Sequence, residues 1–224
     1  MNNVKPVNAG HIFMMISACL IWACSAPRLR DSQTQVQGVV LNQDGKPIPN
    51  AVVRLHSPDG EREIHKAKSK RDGAFDIVSI PSKSLRLSVE APGFSGLNTG
   101  NFWGVKEKIY RFSFKLPERK SLCEQHEGYG SIAGMVTDDL GEPLPGVIIL
   151  LQGMGLSDTS WFDGAFKIDN IPSGLYDVSV KQLGFVEVTY NGVCIEPDSA
   201  RKLNVVLSPI KVAQNIPERF IPID

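Results

Sequence analysis

The sequence predicts an all-β protein built as two tandem sandwiches, and three observations predict it. First, the chain repeats itself: VQGVVLNQDGKPIPNAVVRL at 36–55 returns as IAGMVTDDLGEPLPGVIILL at 132–151, and RDGAFDIVSIP at 71–81 returns as FDGAFKIDNIP at 162–172. Second, apolar residues alternate with polar ones over short runs, most cleanly in YRFSFKL at 110–116, and no segment carries a sustained helical period. Third, turn-forming clusters interrupt these runs every 8 to 12 residues or so, the spacing of a sandwich or barrel. The matched residues of the repeats (Gly38 and Gly134, Pro47 and Pro143, Phe75 and Phe166) are turn formers and core anchors. What is duplicated is a fold, and the sequence does not name a ligand.

The N-terminal residues 1–23 read as a signal peptide. Lys5 precedes the apolar run IFMMISACLIWA at 12–23, which is too short to span a bilayer as a helix. Ile21-Trp22-Ala23-Cys24 resembles a bacterial lipobox, with Cys24 receiving palmitate-type acyl chains; the alternative is Cys19, preceded by Ile16-Ser17-Ala18. Cysteine arithmetic favours Cys24, because Cys19 then leaves with the signal and Cys123 and Cys194 remain as an even pair in an exported protein. The expected address is the bacterial cell envelope, most simply the outer membrane, with the membrane as a partner through the lipid. Residues 24–35 follow as a short polar tether.

In the first repeat, 36–117, strands are expected over 36–41, 51–56, 64–69, 74–78, 84–90 and 110–116. The intervening NQDGKPIPN, SPDG, KRDG, IPSKS and APGFSGLNTG read as turns. A linker at 118–130 leads to the second repeat, 131–208. Gly38 and Phe75 are 37 positions apart and Gly134 and Phe166 are 32, so repeat two lacks five residues. The loss is expected in the hairpin after its second strand, where loop length costs little. The tail at 209–224, with Pro209, Pro217 and Pro222, is incompatible with a central strand.

The motif G-x-V-x(4)-G-x-P-(I/L)-P, followed by D-G-x-F-x-(I/V)-x-x-(I/V)-P and a later G-(F/Y), resembles the carboxypeptidase regulatory-like domain, and both repeats carry it. The resemblance implies a transthyretin-like, seven-stranded Greek-key sandwich in each repeat. It also implies an accessory module with no catalytic residues and no cofactor. The residues supply their own mechanics. Gly45 and Gly141 permit the tight turn, and the paired prolines hold the next segment extended along an edge. Phe75 and Phe166, each after an Asp-Gly turn, are expected to plug the core.

Equal numbers of basic and acidic side chains, 24 each, and the lack of a basic stripe interleaved with aromatics argue against a nucleic-acid partner. Histidines 11, 56, 65 and 126 show no HExxH or HxxE spacing, so a peptidase-type zinc centre is not expected. Asp138, Asp139, Asp158 and Asp163 supply hard oxygen ligands of the kind calcium takes, yet turn formation alone accounts for such residues. Cys123 and Cys194 read either as a disulfide, favoured by export, or as two free thiols. The candidate contact residues are aromatic: Trp161-Phe162 stands where repeat one has Lys70-Arg71, and Phe102-Trp103 lies in a long loop. Either they form exposed patches for an envelope protein or glycan, or they fold over their own core or the domain junction. The reading is a non-catalytic envelope lipoprotein acting as a binding or scaffold module. The alternatives are a carbohydrate- or peptide-binding surface protein using aromatic tips, and an adhesin or stalk spacer.

Overall fold

The computed structural model describes residues 34–119, 123 and 127–210. The signal peptide, Cys19, Cys24, most of the tether, linker residues 120–122 and 124–126, and the tail from 211 onward lie outside the described residues. Sixteen strands and no helix occur among the described residues. In repeat one, β1 (Gln35–Asn42), β4 (Ala74–Val78) and β8 (Ile109–Leu116) form one layer in the order β4-β1-β8. The facing layer holds β2 (Val52–His56), β3 (Glu63–Lys68), β5 (Ser84–Glu90), β6 (Leu97–Thr99) and β7 (Phe102–Trp103). Its order is β6-β5-β2-β3, with β7 also on β5.

Repeat two repeats the plan. One layer contains β9 (Tyr129–Thr137), β12 (Ala165–Pro172), β15 (Ala200–Lys202) and β16 (Val205–Val206). The other contains β10 (Ile148–Leu151), β11 (Ser157–Thr159), β13 (Gly174–Lys181) and β14 (Val188–Ile195). The five missing residues fall where expected, shortening the β10–β11 hairpin relative to β2–β3.

Alternation builds each core. β1 turns Val36 and Val40 inward, β8 turns in Tyr110, Phe112 and Phe114, and Leu85, Leu87 and Val89 of β5 meet them from the facing layer. Phe75 and Phe166 are buried as expected. Each lies opposite a repeated glycine, Phe75 against Gly38 and Phe166 against Gly134. A Cβ on Gly38 would come within 2.6 Å of the Phe75 ring, so the glycine exists to seat the aromatic. The paired prolines do run along an edge: Pro47 bridges Leu41 and Pro143 bridges Thr137, while Ile48 between the prolines is buried.

One expectation is corrected. The segment APGFSGLNTG is not only a turn, because it contains β6, and β6 pairs with β14 of the other repeat. The two facing layers therefore merge into one continuous sheet with the path β11-β10-β13-β14-β6-β5-β2-β3. A single row of cross-strand neighbours runs through it: Lys66, Arg54, Ser88, Asn98, Thr189, Ser179, Leu150, Ser157. At a strand spacing of about 4.8 Å the row is roughly 34 Å long.

The join has symmetry. Counting from the shared Gly-Phe, Leu97, Asn98 and Thr99 are the counterparts of Val188, Thr189 and Tyr190. The observed pairs are Leu97 with Tyr190, Asn98 with Thr189, and Thr99 with Val188. Each residue thus meets its partner's counterpart, and a pseudo-two-fold axis passes between Asn98 and Thr189, the relation of an isologous dimer interface. Flanking bonds from Asn191 N–H to Gly96 O (2.9 Å) and from Gly100 N–H to Glu187 O (2.6 Å) make 98/189 a hydrogen-bonded pair by antiparallel alternation.

The seam is also core, since Leu97, Thr99, Val188 and Tyr190 are all buried. Behind it, the other two layers are stapled by Gln43: its amide donates to the carbonyls of Lys115 (3.2 Å) and Asn204 (3.3 Å). In return it accepts from the Asn204 backbone N–H. Lys202 pairs with Asp44 at 3.0 Å beside this staple.

Candidate functional site

Trp161 and Phe162 occupy the apex of the β11–β12 turn and are 64% and 85% exposed. The turn is held by backbone bonds from Trp161 N–H to Ala165 O and from Gly164 N–H to Trp161 O, both 2.9 Å. Asp163 accepts from Ala165 N–H and Gly164 takes φ +77°, a conformation open to glycine. The repeat-one turn at Lys70–Ala74 uses the same bonds, with Gly73 also at φ +77°. The aromatic pair is therefore not needed to make the turn.

Phe102 and Trp103 separate. Phe102 is corrected from a contact candidate to a core residue: it pairs with Leu85, points inward and is only 4% exposed. Its ring packs 5.4 Å from Phe112 and 5.5 Å from Tyr110. One position on, the strand's alternation turns Trp103 outward opposite Ser84, where it is 61% exposed. The Tyr110 hydroxyl fixes this short strand by donating to Trp103 O at 2.6 Å and accepting from Val105 N–H at 3.0 Å.

Cys123 and Cys194 form a disulfide with Cα atoms 5.6 Å apart. Cys194 lies within β14, so the bridge pins the entry to repeat two onto the strand that makes the seam.

Three of the four carboxylates raised for calcium have structural employment, Asp163 in the turn already described. Asp138 accepts from Leu140 and Glu142 N–H (both 2.9 Å), as Asn42 does from Asp44 and Lys46 in repeat one. Asp158 accepts from Lys167 N–H across the sandwich edge at 2.8 Å. Among the described residues no three His, Cys, Asp or Glu side chains gather to hold a metal. His56 sits on the continuous sheet with Nε2 2.8 Å from Ser88 Oγ and its buried Nδ1 unpaired. Desolvation lowers its pKa below the ordinary 6.5, against the upward pull of Glu63.

Two open grooves flank the axis. One, of about 590 Å³, lies where the turn bearing Asp139 and Leu140 overhangs the β4-β1-β8 sheet at Val39, Asp76, Arg111 and Ser113. Asp139 and Ser113 are the counterparts of Gln43 and Asn204. The pair that closes the seam on one side is replaced by shorter side chains on the other, where a groove remains. The second groove, of about 470 Å³, crosses the axis on the outer face of the continuous sheet and is polar, lined by Arg86, Asn98, Gln152, Asp177, Thr189 and Asn191.

Sequence reasoning missed this second site because Asn98 and Thr189 lie in segments with weak strand patterns. It also missed Leu183, which is 100% exposed on the β13–β14 turn. Aligning QLGF at 182–185 with APGF at 91–94 would have found it, as a leucine standing where repeat one has Pro92.

Two sandwiches of this topology, each with the Gly–Phe plug and the paired edge prolines, define the class. The model of the carboxypeptidase regulatory-like domain matches residues 35–117 and 131–208, well over half of the chain. The chain belongs to that family, whose domains are non-catalytic. No curated protein matches the sequence.

Among solved structures, a type II cohesin–X-dockerin complex from Acetivibrio cellulolyticus aligns at 14% identity and TM-score 0.31, over 35% of this chain and 56% of that one. A streptococcal ancillary pilin aligns at 14% and TM-score 0.32, over 80% and 63%. The minor pilin GBS52 of Streptococcus agalactiae aligns at 13% and TM-score 0.30, over 80% and 97%. The chain spans 56% to 63% of the first three structures it matches. Likenesses at this level bear on neither activity nor partners.

Proposed function

We propose that the protein is a non-catalytic lipoprotein of the bacterial cell envelope, anchored through Cys24 at the outer membrane, whose two sandwiches act as one rigid binding or scaffold platform. The observation that carries the platform reading is the continuous sheet with its buried pseudo-two-fold seam. A spacer or scaffold must hold a fixed geometry, and a cross-domain ladder with core residues on its inner side removes the hinge that a short linker would otherwise leave. The lipid reading rests on the Ile21–Cys24 pattern behind a short apolar run. Conversion of Cys24→Ser should release the protein to the soluble fraction and abolish labelling by a lipid precursor, whereas Cys19→Ser should not. Undiminished labelling of the Cys24→Ser protein would remove the anchor. Crosslinking and pull-down from the native envelope then identify what the platform holds.

A second reading, glycan binding, is favoured by the polar groove across the axis. Its side-chain amides, carboxylate and guanidinium offer donors and acceptors suited to vicinal hydroxyls, and the exposed ring of Trp103 stands on the same sheet face. Glycan arrays probed with the full mature chain test it, with Asn98→Ala and Asn191→Ala expected to abolish any signal that arises from this groove.

A further inference from the structure

The two repeats build the same turn and arm it differently. At its apex repeat one carries Lys70 and Arg71, and repeat two carries Trp161 and Phe162; on the neighbouring turn Pro92 is answered by Leu183. The supporting backbone bonds and the glycine conformation are the same in both copies, so the turn itself does not require the apolar side chains of repeat two. Trp161, Phe162 and Leu183 lie at one end of their sandwich. Trp161 follows Thr159 by two residues and Leu183 follows Lys181 by two, and Thr159 and Lys181 flank Ile148 on either side. Three large apolar groups thus project from two adjacent turns, a convex feature.

Strand directions decide which way this tip faces. In repeat one, β4 leaves the Lys70–Arg71 turn with Ala74 opposite Val39 and ends with Val78 opposite Gln35, so Gln35 is at the end away from that turn. β6 starts beside the Pro92 turn and also runs away from it, toward Thr99. β14 starts beside the Leu183 turn, and its Val188 is opposite Thr99. The tip of repeat two therefore lies at the far end from the tip of repeat one, the end at which the chain enters at Gln35. Repeat two's apolar tip and the entry of the tether share one end of the molecule, and the charged tip of repeat one is at the other.

We propose that Trp161, Phe162 and Leu183 dip into the lipid surface to which the chain is tethered, fixing the platform's orientation on the membrane. The proposal rests on the lipid-anchor reading above. Eleven residue steps separate Cys24 from Gln35 (35 − 24), a reach of at most roughly 40 Å, so the tether keeps this end near the bilayer. Trp is at home at the headgroup boundary, and Trp, Phe and Leu are the apolar residues that interfacial segments bury there. Their insertion also becomes an intramolecular second contact, effective even where three side chains alone would hold a free protein only weakly. The different armament of the copies follows: only one tip faces lipid, and the one facing away carries charge.

The test uses the mature lipidated protein in vesicles of phosphatidylethanolamine and phosphatidylglycerol containing a spin-labelled phosphatidylcholine. Trp22 precedes Cys24 and leaves with the signal, so Trp103 and Trp161 remain as the two reporters. In Trp103→Phe protein the remaining emission should move to shorter wavelength on vesicle binding and be quenched by the spin label. Trp103 sits at the same end, opposite Ser84 at the start of β5, so the negative control is Trp103→Phe, Trp161→Phe protein carrying Arg71→Trp on the far tip, and its emission should show neither change. Vesicle-bound protein whose Trp161 is as unquenched as the Arg71→Trp reporter overturns the tip while leaving the anchor intact. Protein that fails to bind vesicles at all overturns the anchor and the tip together. A blue shift that needs native envelope proteins and shows no quenching assigns the tip to a protein partner and also overturns the proposal.

Discussion

At the scale of single residues, the repeated glycine and phenylalanine act as one unit. Gly38 clears the space that the Phe75 ring fills, and Gly134 does the same for Phe166, with the Leu203 carbonyl also closing on the site. Phe75→Ala or Phe166→Ala should cost about 3 to 5 kcal/mol by transfer and cavity terms, read from chemical denaturation. Gly38→Ala should also destabilise, since its methyl meets the ring and the Phe112 carbonyl. His56 predicts a pH effect of defined sign. Its pKa is lowered by burial first, with Arg86 and Arg54 reinforcing the effect and Glu63 and Glu90 opposing it. The unfolded chain therefore takes up the proton before the folded one does. The contribution is complete above about 6.5 and is lost as pH falls through the depressed folded value. Ring NMR of His56 should show a midpoint below 6.5, and His56→Gln should flatten the acid limb of the stability profile. A midpoint at or above 6.5 would contradict the burial argument.

At the scale of elements, the sequence was legible wherever hydrophobic alternation ran for five residues or more. β4 and β5 have the expected bounds, and β1, β2, β3 and β8 differ by a residue at their ends. It was illegible at β6 and β7, three and two residues long, because Gly, Asn and Thr there read as turn chemistry and two residues cannot display a period. The same shortness hid which of Phe102 and Trp103 faces the core. The exposure of Trp161 and Phe162 was legible because a sister copy showed that the position tolerates Lys and Arg. Two predictions follow from these placements. Phe102→Ala should cost about 3 to 5 kcal/mol and Trp103→Ala little, although the two are neighbours. Trp161→Lys with Phe162→Arg should change stability by no more than about 0.5 kcal/mol, as for a surface site. The disulfide closes a separation of 71 residues, worth about 4 kcal/mol in the chain-entropy model. Cys123→Ser and Cys194→Ser should then lower the melting temperature equally, and an assay should find no free thiol from either residue in the native protein.

At the scale of the whole molecule, the repeats do not behave as two beads, and this was the least legible property. Duplication states that two sandwiches exist but not that the same short strand in each will pair with its own counterpart. That pairing depends on tertiary placement of Asn98 and Thr189, whose polar side chains gave no strand signal. Its consequence is thermodynamic: the seam buries Leu97, Val188 and Tyr190 and adds backbone bonds on both sides of the axis. Unfolding either sandwich would expose this core and orphan the edge of the other, so the two should melt together. Differential scanning calorimetry of the mature chain should show one transition whose van't Hoff and calorimetric enthalpies agree. Tyr190→Ala, in repeat two, should lower that single transition as a whole, by roughly 6 to 20 °C for a loss of about 3 to 5 kcal/mol in a domain of this size. Two resolved transitions, with repeat one melting at its original temperature in the Tyr190→Ala protein, would show that the continuous sheet does not couple the domains. The rigid platform would then go with it.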